Sequence, residues 1–447
     1  MRLTRLSLVA AMLIGSTAFA IDNIKMSGDL NVFYSTTDAP GQVSNILVGN
    51  SGSGTLFDKD SSAADVGLNL NISADLAKND LVTVSAGAGY TVLSTLGLEN
   101  NFVSNVWGGA HDATLGTGGS YAKLAGGAKV ENANWLNEAW VAVAAGKSTV
   151  KLGRMELDTP LAFTEKWSIE KNTFEAAVLI NQDIPDTTVV AAFVGTGNGT
   201  ETFGTGATNS NFLGLGVGVA TGTNLQGDAQ TLGLAVGPVV NGNGEFGTYG
   251  TDGAYAFGVI NNSVESLTLQ AWYYDVTKVA QAYWLQADVN IEGIMVGAQY
   301  NAMDLADFVG TSVYAVMVGY EMKDMLTAKV AYSSVDKDFA AGFNTATATG
   351  TAQSKLYTEA WWSRGQVTAA DASAINLTIT SPVQGIVDLG LYVTMVDHAA
   401  ANSDLTEIAL TASKSFGPLD ATLAYINVDT DGSSAVNTVQ AYLTVNF

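Results

Sequence analysis

The sequence predicts an all-β protein, a large transmembrane antiparallel β-barrel with short turns at one end and long loops at the other. Three observations predict it. Apolar and polar residues alternate strictly through segment after segment, giving each segment an oily and a wet face. The connections between segments are short and long by turns, the asymmetry of outer-membrane barrels. The composition is also unusual: charged residues are 14%, against about 25% in ordinary soluble domains, with 48 glycines and only 6 prolines.

Residues 1–20 are set apart from the fold. Arg2 and Arg5 precede the apolar run Leu6 to Ile14, and Ala18-Phe19-Ala20 supplies a small-x-small cleavage site. These are the three parts of a secretory signal peptide, and the run is shorter than the roughly 20 residues of a spanning helix. The mature chain, 21–447, is expected to be one barrel domain starting at Ile21. Membrane helices do not fit the remainder. The charge-free stretch Phe203 to Gln226 is Gly, Thr and Asn between single apolar residues, a poor helix and an acceptable strand or loop.

The first strand is expected at Met26–Tyr34. Val66, Leu68, Leu70 and Ile72 then alternate with Gly67, Asn69, Asn71 and Ser73, and after the turn "AKND" Val82, Val84, Ala86, Ala88 and Tyr90 alternate with small polar residues. The pattern returns at Leu267-Leu269-Ala271-Tyr273, Tyr314-Val316-Val318-Tyr320 and Leu389-Leu391-Val393. Short turns fall at Gly146-Lys147, 182–186, 321–325 and 414–420, and long loops at 35–63, 93–135, 195–253 and 333–373. The last strand, Val439–Phe447, ends with Val439, Ala441, Leu443, Val445 and Phe447 on one face. With both termini on the periplasmic side the strand number is even. Taking 333–373 as one outer loop gives eighteen strands, although "KLYTEAWW" (355–362) could itself be a strand and sixteen stays open. So many strands leave a lumen that wets the polar faces, and the oily faces meet lipid. Aromatic residues such as Tyr90, Tyr273, Tyr320 and Phe447 stand near strand ends, as in interfacial girdles.

No cysteine is present, so a disulfide framework is excluded. The net charge is −23, or −25 once Arg2 and Arg5 are removed, which argues against nucleic acid and anionic lipid heads as partners. Acids lining a cavity would instead draw cations.

The most distinctive segment is "KLGRMELDTPLAFTEKWSIEKNTFEAAVLINQDIPDTTVVAAFVG", 151–195. Pairing across the Gly146-Lys147 turn puts Glu138, Trp140, Thr149 and Lys151 on the lumen side and Ala139, Val141, Val150 and Leu152 toward lipid. Arg154 then falls on the lipid parity, where it is costly, so the strand is expected to end or bulge there. The next stretch, 155–173, is the third outer loop. It holds Glu156, Asp158, Glu165, Glu170, Lys166 and Lys171. With "LGR", "TP", "NTFEAA", "DIPDTT" and "SKLYTEAWW", the chain resembles the major outer-membrane porins of Campylobacter-like bacteria and, more distantly, OprD-type channels. The motif match covers about a tenth of the chain. The resemblance implies a homotrimer of sixteen or eighteen strands through which solutes diffuse passively, with the third loop folded into the pore. It also implies that Phe447, with Val445 and Leu443, is the signal for barrel assembly.

Acids facing bases across a constriction select ions by charge. The expected set is Glu138, Glu156, Asp158 and Glu165 opposed by Lys151 and Arg154. The alternative is that these ion pairs fasten the loop to the wall, with Glu170 and Lys171 the first to do so. The function expected is an outer-membrane porin for small hydrophilic solutes and ions, preferring cations. The competing class is a surface adhesin or other structural β-protein without a conducting pore. "NVDTDG" (427–432) matches half a calcium loop but has Thr438 where the twelfth-position acid is needed. A loose Ca²⁺ site there, or one at Glu156 and Asp158 in the constriction, stays open; no other cofactor is expected. The glycines of "GTGNG" (195–199) lack the Lys-Ser/Thr of a phosphate loop, and His111 and His398 have no metal spacing. With no GxSxG element either, catalysis is not expected.

Overall fold

The computed structural model describes residues 21–38, 55–58, 62–94, 133–166, 169, 171–198, 205–206, 209–210, 246–248, 253–276, 280–305, 309–346, 353–383, 385–399 and 403–447. Residues 1–20, the expected leader, and Glu170 and His111 lie outside the described residues.

Eighteen antiparallel strands form the barrel: β1 (Asp22–Thr37), β2 (Ser62–Lys78), β3 (Val82–Ser94), β4 (Ala133–Ala145), β5 (Ser148–Met155), β6 (Phe174–Asn181), β7 (Thr187–Gly197), β8 (Ala254–Val264), β9 (Leu267–Val276), β10 (Ala280–Ile291), β11 (Ile294–Leu305), β12 (Val309–Met322), β13 (Leu326–Val335), β14 (Ala372–Val383), β15 (Val387–His398), β16 (Leu405–Phe416), β17 (Leu419–Thr430) and β18 (Val436–Asn446). Each strand pairs with its sequence neighbour, and β1 pairs with β18 from Asp29↔Asn446 to Thr37↔Thr438, closing the sheet. The short segment Gly247–Thr248 extends the edge of β7 and adds no turn to the barrel.

Period two decides which way each side chain points. On β12, Tyr314, Val316, Val318 and Tyr320 are 48–59% exposed and outward, while Val313 and Ala315 point inward and are buried. Each large apolar side chain left in water forfeits about 1.5–3 kcal/mol, so an outer surface built this way needs an apolar solvent. Tight turns join the strands at one end. Glu292 and Gly293 both take positive φ, 53° and 88°, the conformation that suits a two-residue hairpin between twisted strands. At the seam, Phe447 and Gly28 exchange backbone hydrogen bonds of 2.8 and 3.0 Å. The Phe447 ring lies on the spot a Cβ of Gly28 would occupy, 2.7 Å from it. Leu443, Val445 and Phe447 stand on the outward row, as expected.

Residues 355–362 form no strand, as the count of eighteen required. One expectation is corrected: the segment between β13 and β14 is not a plain outer loop. It folds into the barrel and, with the segment between β5 and β6, builds an apolar core inside the loop-side half. Leu157 and Leu161 of the earlier segment and Phe343, Leu356 and Val367 of the later one are buried there against Trp284, Ala315 and Val335 of the wall. A second cluster joins Ile169 and Trp362 to Phe33, Leu93 and Ile426.

Candidate functional site

The described residues of two segments, within 156–173 and within 336–371, pack inward against the barrel wall. The first is a pinched hairpin: Thr164 N donates to Leu157 O at 2.8 Å, and isolated bridges join Asp158 to Phe163 and Lys166 to Lys171. Asn344 zips it to the second segment. Its Oδ1 accepts from Phe163 N at 3.2 Å, and its Nδ2 donates to Phe163 O and to Glu165 Oε1, each at 2.8 Å. Thr345 N adds a bond to Leu161 O at 2.9 Å.

Carboxylates fix the second segment to the wall. Glu407 of β16, 1% exposed, accepts from Trp362 N at 3.0 Å and Ser363 N at 2.6 Å. The Glu359 carboxylate gathers Ser354 N at 2.6 Å, Gly365 N at 3.0 Å, Ala360 N at 3.1 Å and the Ser354 hydroxyl. Burial pushes its carboxyl up to about 7, against four donors that favour the anion. Tyr357 donates to Asp288 of β10 at 2.5 Å and lies over Gly297 of β11, where a Cβ would stand 2.5 Å from its hydroxyl. Beneath it is a cavity of about 580 Å³ lined by Asn262, Asp288, Lys329, Tyr357 and Asn376 among others.

The residues expected from the sequence divide into three groups. Glu138 and Lys151 face the lumen as expected: Trp140 Nε1 donates to Glu138 at 3.2 Å, and the Lys151 ammonium lies 4.3 Å from the centre of the Trp140 ring. Glu156 and Asp158 also border water, each with a lysine partner. Glu156 pairs with Lys171, and Asp158, its side chain 90% exposed, pairs with Lys355 of the other segment. Burial would lower the Lys171 ammonium, but the bond to Glu156 together with the charges of Glu156, Glu138 and Asp29 leaves its pKa raised. This pair lies within the loop segment itself and does not tie it to the wall.

Two side chains stand elsewhere. Glu165 is 1% exposed and accepts from Asn344 and from Gln353 N at 3.0 Å, so it binds loop to loop, out of reach of the lumen water. Arg154 continues the outward row. β5 ends as expected, one residue beyond it at Met155, which is buried in the inner core, and the register holds up to Ala139↔Arg154 and Arg154↔Glu175. The cost of an outward arginine is met by Glu175 at 2.8 Å, the Leu136 carbonyl at 2.9 Å and the Phe246 ring at 4.0 Å, at the loop end of the barrel. Thr196 holds the other oxygen of Glu175 at 2.8 Å. Among the described residues no three carboxylates or imidazoles gather as metal ligands.

Sequence reasoning missed Glu359, Glu407, Asn344 and Tyr357. One signal was available: Phe339, Phe343, Leu356, Trp361 and Trp362 are too apolar a set for a loop standing in water.

A closed antiparallel barrel of eighteen strands matches the fold of OprD-type outer-membrane porins. The chain superposes on Pseudomonas aeruginosa OccK9 (OpdG) with a TM-score of 0.66 at 11% identity, covering 95% of this chain and 98% of that one. Acinetobacter baumannii OccAB4 gives 0.66 at 10%, with 96% and 100% covered. Pseudomonas aeruginosa OpdK, solved with vanillate, gives 0.62 at 11%, with 95% and 98% covered. At such identities the likeness is one of fold. It falls on the OprD-like side of the expected resemblance, and the Campylobacter-type relation rests on sequence motifs alone. No protein-family model matches the sequence, nor does any curated protein.

Proposed function

We propose that the chain is an outer-membrane porin: a non-catalytic, water-filled channel for small hydrophilic solutes and ions that prefers cations. The observation that carries this is the pairing of an apolar outer surface with a charged constriction bordering water, where Asp158 stands 90% exposed beside Lys355. Such a surface requires lipid, and charges at a narrow point select what passes. The sequence charge of −23 supports the cation preference. The solved relatives of like fold support the channel, and OpdK with vanillate supports passage of small organic solutes. Assembly as a homotrimer belongs to the same reading. The test is the purified protein in a planar bilayer under a KCl gradient. Discrete conductance steps with a reversal potential on the cation side are expected; a silent bilayer, or a reversal potential on the anion side, defeats the reading.

A further inference from the structure

We propose that His398 is a cationic clasp: its imidazolium ties the inward stretch 353–371 to the loop-side rim of the barrel, and loss of its proton as pH rises loosens that stretch. The role rests on the reading of the chain as a channel, though the clasp itself does not. His398 is the last residue of β15 and pairs with Ala372, the first of β14. Alternation sends it inward. Val396, two residues back, is buried in the inner core with Val367 and Ala372, Asp397 is exposed, and His398 is only 6% exposed. Its ring bridges two pieces of chain. Nε2 lies 3.0 Å from the carbonyl oxygen of Gln366, in the single 3₁₀ turn Gln366–Thr368, and Nδ1 lies 2.9 Å from that of Ser403, just before β16.

Both partners are main-chain oxygens, which only accept. A neutral imidazole has one N–H, so in either tautomer a ring lone pair would point at a carbonyl lone pair across hydrogen-bond distance. Turning the ring over would put carbons where the nitrogens stand and lose both bonds. The imidazolium alone donates at both ends, and bonds from a charged donor are the stronger kind. Burial opposes a cation, but most charges on the surrounding elements favour one. Asp404, beside β16, accepts from the His398 main-chain N–H at 3.2 Å, and Asp397 is its neighbour on β15. Asp371 precedes its partner Ala372 and donates its own N–H to the carbonyl of Asp336, just past β13, at 3.0 Å. On the inward stretch, Glu359 accepts from Gly365 N, next to Gln366, and Arg364 reaches away toward the Lys166 carbonyl at 3.3 Å. Lys337 and Lys355 are taken up by Asp338 and Asp158, and Glu407 by Trp362 and Ser363. Val367, beside Gln366, fills the inner core, so this one bond holds a packed turn. The clasp is whole at low pH and is lost as pH rises through the range in which imidazoles titrate, about pH 5 to 8.

Counting protons tests the clasp. The chain has two histidines, so His111→Gln leaves His398 as the one imidazole. In nitrogen-15 spectra of that variant in detergent, two exchange-protected ring N–H protons are expected near about pH 5.5 and one near about pH 8.5. A single N–H at both values, or none protected, overturns the proposal. Planar bilayers test the role. Brief partial closures of the wild type should become about fivefold more frequent between those values, as the loss of one hydrogen bond allows. His398→Leu, which carries no proton, should close at the high rate at both, with heat-modifiable migration showing a folded barrel. Glu359→Gln should keep the pH step, although that carboxyl titrates nearby, at about 7. A step that persists in folded His398→Leu, or vanishes in Glu359→Gln, overturns the role. Two protected N–H protons in a protein that conducts nothing would leave the clasp standing and defeat the channel; conduction with one N–H and no step would do the reverse.

Discussion

Lys329 and Val330 are neighbours on β13, yet one lines the lumen cavity and the other is 47% exposed on the outward face. A lysine is tolerated where water reaches it and costs about 2–4 kcal/mol at the lipid midplane. Val330→Lys should therefore destabilise the barrel by about that much in urea titrations from liposomes, whereas Lys329→Val should change stability by under about 0.5 kcal/mol. Equal losses would mean that the two faces are misassigned. The acids of the first inward segment divide in the same way. Glu156 and Asp158 border water, so Glu156→Gln with Asp158→Asn frees Lys171 and Lys355 and should move the reversal potential in a KCl gradient toward anions. Glu165→Gln should barely move it, since that carboxylate is enclosed between loops, but should add open-channel noise as the Asn344 and Gln353 bonds weaken. A Glu165→Gln shift matching that of the double variant would put this side chain back in the lumen.

Among the elements, the described part of 336–371 is held in part by a buried carboxyl, that of Glu359. The Glu359 carboxyl is raised from 4.5 to about 7 by burial, so the folded protein holds that proton more tightly than the unfolded chain. Its contribution to stability is therefore complete below pH 4.5 and lost as pH rises through about 7. The difference in thermal midpoint between wild type and Glu359→Gln should change steadily across that window and be flat outside it. A difference independent of pH would show that the carboxylate is held as the anion by its four donors. The strands were legible in the sequence because alternation is local: Leu70 and Asn69 declare opposite faces without reference to anything distant. The destination of 336–371 was not, because what fixes it is remote. Trp362 is tied to Glu407, 45 residues on, and Tyr357 to Asp288, 69 residues back. The same limit hid Glu165, whose partner Asn344 is 179 residues away, and Arg154, where parity gave the direction correctly but not the Glu175 that makes it tolerable.

For the molecule as a whole, closure depends on a seam with little to spare. The Phe447 ring occupies the space that Gly28 leaves empty, and the two backbones are paired. Deleting Phe447, or replacing Gly28 with Leu, should lower the folded, heat-modifiable fraction in the outer membrane and leave aggregate in the periplasm; normal insertion of both variants would make the seam dispensable. That seam also sets the order of events. The Thr444 hydroxyl meets Asn31 at a sequence separation of 413, so β1 is an open edge for as long as the rest of the barrel takes to form. An edge strand waiting that long is an invitation to wrong partners, and contacts so far apart in sequence form slowly. The chain cannot fold piecemeal as it is delivered. It must be kept apart from its neighbours until the two ends can meet, which makes the holding of an unclosed sheet as much a condition of this barrel as any residue in its lumen.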